Sequence, residues 1–280
     1  MIPWFDIQFP SLGPLTIHMY GILVATGILV GARLTQNRGV ELGLDKEQVA
    51  SMITTSLICG FLFAHIFDVL AYQTKGPSPT FWQILNPFGG LSSFGGFIGA
   101  LGGLFYWCWR KKQKVMPYAD SLAFGLAAGW TFGRLGCFSA HDHPGRLTHF
   151  FLSVQYPVVG GGPVHEYLGG LIGIAHYPTG ARHDLGLDEA LFALAMTIVF
   201  LVLKKRGKQP LGLYLGLLTV FYAPVRFALD FLRTTELPGA DPRYFGLTPA
   251  QYGSIAVLVA GVSVFVWMRR HRMDARPCVG

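Results

Sequence analysis

The sequence predicts an all-α, polytopic integral membrane protein with about seven transmembrane helices, its N-terminus outside and its C-terminus in the cytoplasm. Three observations carry that prediction. Hydrophobic residues make up 51% of the 280 residues and charged residues only 13%, against about 25% charged in a typical soluble domain; mean hydropathy is +0.43. Seven apolar runs approach the length needed to cross roughly 30 Å of hydrocarbon. The basic residues, finally, are distributed unevenly between the connections.

Taken in order, the segment from Pro3 to Pro14, with Trp4, Phe5 and Asp6, is aromatic and proline-broken and reads as an interfacial arm. No basic residue precedes Arg33, so the start does not read as a cleaved signal peptide. Spans are expected at 15–34, 49–72, 89–109, 118–138, 187–203, 211–232 and 252–268. The connection after the first holds Arg33, Arg38 and Lys46, and that after the third holds Arg110, Lys111, Lys112 and Lys114. After the fifth come Lys204, Lys205, Arg206 and Lys208, and the tail carries Arg269, Arg270, Arg272 and Arg276. Fifteen of the 22 Lys and Arg thus fall on one side, which the positive-inside rule makes cytoplasmic. The net charge of +7 is accordingly a topology signal and gives no support to nucleic-acid binding. Cys59, Cys108, Cys137 and Cys278 lack metal-ligand spacing and make no disulfide framework. The chain reads as one transmembrane domain over 1–280, with 139–186 an extended external segment. A connection of that length without helical pattern is often functional. It holds Gly160-Gly161-Gly162-Pro163 and Arg182-His183-Asp184.

Residues 129–146 draw the strongest functional reading. Arg134 sits inside an apolar run, at a cost of about 2.5–3.5 kcal/mol unless something compensates it. Gly129, Gly133 and Gly136 let a backbone or ligand approach. Cys137 shares a helical face with Arg134, and His141, Asp142 and His143 follow, a combination suited to binding an anion and handling protons. Arg226, on one face with Tyr222 and Asp230, converges with Arg134 near the outer leaflet. Two guanidinium forks match a phosphate bidentately, and in a membrane that phosphate is a phospholipid headgroup. The alternative pairs Arg226 with Asp230 and Arg134 with Asp142 or Glu189. His18 and Tyr20 sit at the outer end of the first span, and Glu189 opens the fifth. His65 and Asp68 share a face of the second, as a buried pair, a proton relay or two metal ligands, the buried pair being preferred. No metal is expected at His141-Asp142-His143, since adjacent residues rarely all reach one ion. The glycine-rich stretch 88–99 reads equally as amides facing an anion or as close helix packing.

His18-Met19-Tyr20-Gly21, Gly89-Gly90-Leu91-Ser92, Gly133-Arg134-Leu135-Gly136, Arg182-His183 ahead of Glu189, and Arg226 with Asp230 occur in that order along nearly the whole chain. This pattern resembles the bacterial prolipoprotein diacylglyceryl transferase family, with Gly133-Arg134-Leu135-Gly136 its most specific piece. The resemblance implies transfer of a diacylglyceryl group from phosphatidylglycerol to the lipobox cysteine thiol of a lipoprotein precursor. It places the reaction at the outer face of the bacterial cytoplasmic (inner) membrane and implies no cofactor.

The chain departs from the family at chosen places. Phe94 stands where the family has a histidine, Cys137 where it usually has asparagine, and His65 where an arginine is expected. The family's Asn-Gly-Glu becomes Ala140-His141-Asp142, and the pattern around Arg182-His183 is altered through Asp188-Glu189. Arg134 and Arg226 are retained as the residues for the lipid phosphate. With Phe94 unable to exchange a proton, the expected base is His141 or His143, oriented by Asp142, histidine being the side chain suited to proton transfer near neutrality. His18, Tyr20, His65, Asp68, Cys137, Glu189 and Asp230 are the expected supporting residues. Cys137 as a nucleophile of the protein itself, another acceptor or lipid, a lipid transporter and a non-catalytic lipid-binding scaffold remain alternatives.

Overall fold

The computed structural model describes residues 1–5, 7, 18–71, 91–156, 179–235 and 243–271. Within them run seven long helices: α1 (Met19–Glu41), α2 (Lys46–Ala71), α3 (Ser93–Arg110), α4 (Val115–Ala140), α5 (Leu185–Lys205), α6 (Leu213–Leu229) and α7 (Pro249–His271). A 3-10 turn, Asp230–Leu232, continues α6. Five of the seven are long and apolar enough to cross a membrane, α3 and α4 being the exceptions. Large apolar side chains lie exposed on α2 (Ile58, Phe61, Leu62), α5 (Leu194, Ile198, Val199) and α7 (Val259, Val262). Such surfaces suit lipid rather than water, and the protein is a mostly helical membrane protein. Gly89-Gly90, Gly160 to Pro163, Cys278 and the first residues of the expected first span lie outside the described residues.

Helix α4 is the centre of the assembly, packing against α1, α5 and α6. Small residues make this possible. A Cβ on Gly27 would lie 2.7 Å from the carbonyl oxygen of Gly129, and one on Gly125 only 2.2 Å from that of Gly31. The α2–α3 pair uses the same device. A Cβ on Gly95 would meet Phe67 at 2.4 Å, and one on Gly99 would meet the Cys59 carbonyl at 2.4 Å. The glycines of α3 therefore serve close helix packing, while Ser92 caps that helix by accepting from the amide of Gly95.

Two features correct the sequence reading. Helix α1 runs on to Glu41, so Arg38 is a helical residue, not a loop charge, and it is buried. Its guanidinium meets Asp120 Oδ2 at 3.0 Å, and Asp120 Oδ1 accepts from the amides of Tyr214 and Leu215 at 2.9 and 3.1 Å. One ion pair thus ties α1 to α4 and satisfies amides at the start of α6, where a carboxylate is favoured.

The second correction is a four-stranded sheet in a region read as an open connection. Strands β1 (Ile2–Pro3), β2 (Pro144–Leu147), β3 (Val154–Tyr156) and β4 (Gly180–Asp184) are ordered β1-β3-β4-β2. Strand β1 pairs parallel to β3, Ile2 opposite Val154, and the other pairs are antiparallel. Ile2 and Pro3 are therefore a sheet edge, while most of the expected interfacial arm, Pro3 to Pro14, lies outside the described residues. Strands of two to five residues are too short to display alternation in sequence.

Candidate active site

The site forms where the C-terminal end of α4 meets the start of α5. Helix α4 stops because His141 adopts the left-handed conformation, φ 50° and ψ 34°, at its C-cap. That reversal sends Asp142 and His143 back over the last helical turn. Helix α5 begins at Asp184, whose Oδ1 accepts from the amides of Gly186 and Leu187 at 3.0 and 3.3 Å. The cap fixes the first turn of α5, and with it Glu189.

Arg134 and Glu189 form a buried ion pair, their side chains 6% and 1% exposed. This is the compensation that a guanidinium within an apolar helix requires. Glu189 Oε1 also accepts from Trp130 Nε1 at 3.0 Å and from Tyr222 OH at 2.5 Å. Trp130, one turn before Arg134, offers its ring at 5.4 Å from the guanidinium carbon. Arg134 Nη1 reaches Cys137 Sγ at 3.5 Å and His143 Nε2 at 3.3 Å. His143 Nδ1 in turn lies 2.5 Å from Asp142 Oδ1. Arg134 Nε is buried with no hydrogen-bond partner among the described residues.

Arg226 pairs with Asp230 at 3.0 Å, and Arg233 approaches the same carboxylate at 3.4 Å. Thr248 donates to Asp230 Oδ2, and Gln251 Oε1 accepts from the Thr248 amide at 3.0 Å. Tyr222, one helical turn before Arg226 on α6, donates to the Glu189 that holds Arg134, and each arginine is held by an internal carboxylate.

The other expected residues distribute as follows. Tyr20 packs against α4 at Gly136, where an added Cβ would lie 3.2 Å from its ring. His18 is the half-buried N-cap residue of α1. His65 is buried on α2, and Asp68 is half-buried on the same helix; that helix packs chiefly on α3. His141 is fully enclosed, with Nδ1 2.8 Å from Asp184 Oδ2. Trp4 stacks on its ring at 4.1 Å, and Phe5 meets it edge-on at 4.8 Å. Tyr156 donates to the same Asp184 oxygen at 3.1 Å. Of the two candidate bases, only His143 touches Arg134. Phe94 packs on Phe67 at 5.4 Å, and Phe97, one turn on, meets Trp130 at 4.8 Å.

A family profile described as prolipoprotein diacylglyceryl transferase matches residues 8–267. The chain belongs to the prolipoprotein diacylglyceryl transferase family. It is 27% identical over 277 residues to the phosphatidylglycerol–prolipoprotein diacylglyceryl transferase of Chromohalobacter salexigens, covering 97% of this chain and 96% of that protein. Similar proteins of the same description occur in Campylobacter lari, 26% identical with 95% and 94% covered, and in Bacillus mycoides, 28% identical with 96% and 94% covered. Within this family member, Trp130 was not singled out from sequence, although its i, i+4 spacing to Arg134 was the available signal. Tyr222 carried the same signal toward Arg226.

Proposed function

We propose that the protein transfers a diacylglyceryl group from phosphatidylglycerol to the cysteine thiol of a lipoprotein precursor. The observation that carries this reading is the buried Arg134–Glu189 pair, joined through Tyr222 to the helix that carries Arg226 one turn on. A lipid phosphate entering beside it meets two guanidinium groups already oriented, one with an unpartnered Nε. Fixed cations of this kind stabilise the phosphate oxygen as it takes up the electrons of the breaking bond. The acceptor thiol loses its proton, the sulfur attacks the glyceryl carbon next to the phosphate ester, and glycerol phosphate leaves.

In this reading His143, oriented by Asp142, works beside the arginine, and Cys137, Tyr20 and Asp230 support the site. His141 serves the fold through Asp184. The seven helices all span, with the N-terminus outside, the C-terminus cytoplasmic and the sheet on the outer face, in the bacterial cytoplasmic membrane.

The test incubates purified protein in detergent with phosphatidylglycerol and follows released glycerol phosphate, with and without a lipobox peptide. Release that requires the peptide, with lipid attached to its cysteine, is the expected result. Absence of turnover with intact lipid binding would overturn the reading in favour of a lipid-binding relative, in line with Phe94.

A further inference from the structure

The turn after α4 assembles a donor set that linear spacing argued against. Asp142 and His143 are neighbours, but the left-handed backbone at His141 reverses the chain and lays both over Cys137. One ligand atom from each of Cys137, Asp142 and His143 lies within 4.8 Å of the other two. Thiolate sulfur, imidazole nitrogen and carboxylate oxygen are the three donor types that zinc takes, and catalytic zinc sites use three protein ligands with a fourth position open. The side chains of His143 and Asp142 are 19% and 11% exposed, so an ion and a further ligand have access to the trio.

Arg134 is the group that competes for this position, through its Nη1 contacts to Cys137 and His143. It remains paired with Glu189 through Nη2, so yielding those contacts does not strand its charge. A thiolate and a carboxylate together offset a divalent ion. The arrangement also frees Nη1 for a phosphate.

We infer that Cys137, Asp142 and His143 bind a zinc ion whose open position takes the acceptor thiol as a thiolate. The acceptor rests on the transferase reading above; the metal site does not. A thiol bound to zinc is deprotonated outright, which supplies what Phe94 cannot, and His143 acts here as a ligand. The proton passes to solvent. The sulfur lone pair then forms the C–S bond to the glyceryl carbon as the C–O bond to phosphate breaks, its electron pair leaving with glycerol phosphate. No electron is gained or lost, so a redox-inert ion suffices. The product thioether, a weaker ligand, departs.

The experiment measures zinc in wild-type protein purified without chelator, and then the absorption of chelator-stripped protein loaded with Co²⁺. About one ion per chain and a thiolate-to-cobalt charge-transfer band are expected. Cys137→Ser should lose the band and Asp142→Asn should weaken Zn²⁺ binding by about 10-fold or more, both eluting as folded protein. A wild type that takes up no Zn²⁺ or Co²⁺, or a cobalt spectrum unchanged in Cys137→Ser, would overturn the site. If Cys137→Ser fails to fold, loss of zinc in Asp142→Asn decides. Metal bound through Cys137 without lipid transfer would leave the site standing and sink the transferase reading; full turnover after chelation would sink the metal's catalytic role.

Discussion

Tyr222 donates its phenolic hydroxyl to Glu189 Oε1 at 2.5 Å, while Glu189 also holds Arg134. A residue of α6 thereby orients the carboxylate of α5 that neutralises the guanidinium of α4. The three helices meet on one buried carboxylate, and removing it exposes every partner.

Glu189→Ala should therefore destabilise the protein more than any loss of apolar packing nearby. Breaking one side of a buried pair costs about 3–5 kcal/mol because the remaining charge is uncompensated. Thermal unfolding in detergent should show a melting temperature well below wild type. Tyr222→Phe, which removes one donor and no charge, should cost about 1 kcal/mol. Equal melting of Glu189→Ala and wild type would mean that Arg134 is satisfied elsewhere.

Arg134→Lys and Arg226→Lys should each cost activity nearly as severely as alanine, since the bidentate fork becomes a point charge. A loss of about 10²–10³ in turnover is expected for removal of a donor to the developing phosphate charge. Glycerol phosphate release from phosphatidylglycerol reads this directly. Near-normal turnover in Arg134→Lys would reduce that residue to partner of Glu189.

His143→Ala and His141→Ala should separate cleanly. The first should lower turnover by about 10²-fold with melting close to wild type. The second removes one of several buried partners of Asp184, which keeps Tyr156 and the amides of Gly186 and Leu187; it should cost about 1 kcal/mol and act on melting, with residual turnover per folded molecule near normal. The reverse pattern, a stable but inactive His141→Ala, would return His141 to the chemistry.

A reporter after Gly280 and another at Lys112 should be cytoplasmic, and one near Gly161 external. Accessibility labelling in intact and permeabilised cells measures this. An external C-terminus would contradict the spanning of all seven helices.

Much of the site was readable in one dimension because a charge in an apolar run is an anomaly at once visible. Arg134, Arg226 and Glu189 were found that way. Their partners were harder. Arg134 had Asp142 close in sequence and Glu189 much farther, 55 residues away, and the distant one holds it, because Asp142 is turned toward His143 instead. Arg38 was read as a loop charge, since nothing local announces that Asp120, 82 residues on, waits for it inside the bundle.

The sequence by itself determined that the chain is a helical membrane protein, where its seven long helices lie, and which family it resembles. Hydrophobic length and charge exclusion are local properties, and composition records them directly. Only the tertiary structure decided which carboxylate answers which arginine, that His141 belongs to the Trp4–Asp184 packing while His143 faces Arg134, and that a sheet joins the N-terminus to the connection after α4. Those outcomes depend on a single left-handed residue, on strands of two to five residues and on glycines that set how closely helices approach, all of which act through distances that linear order does not contain.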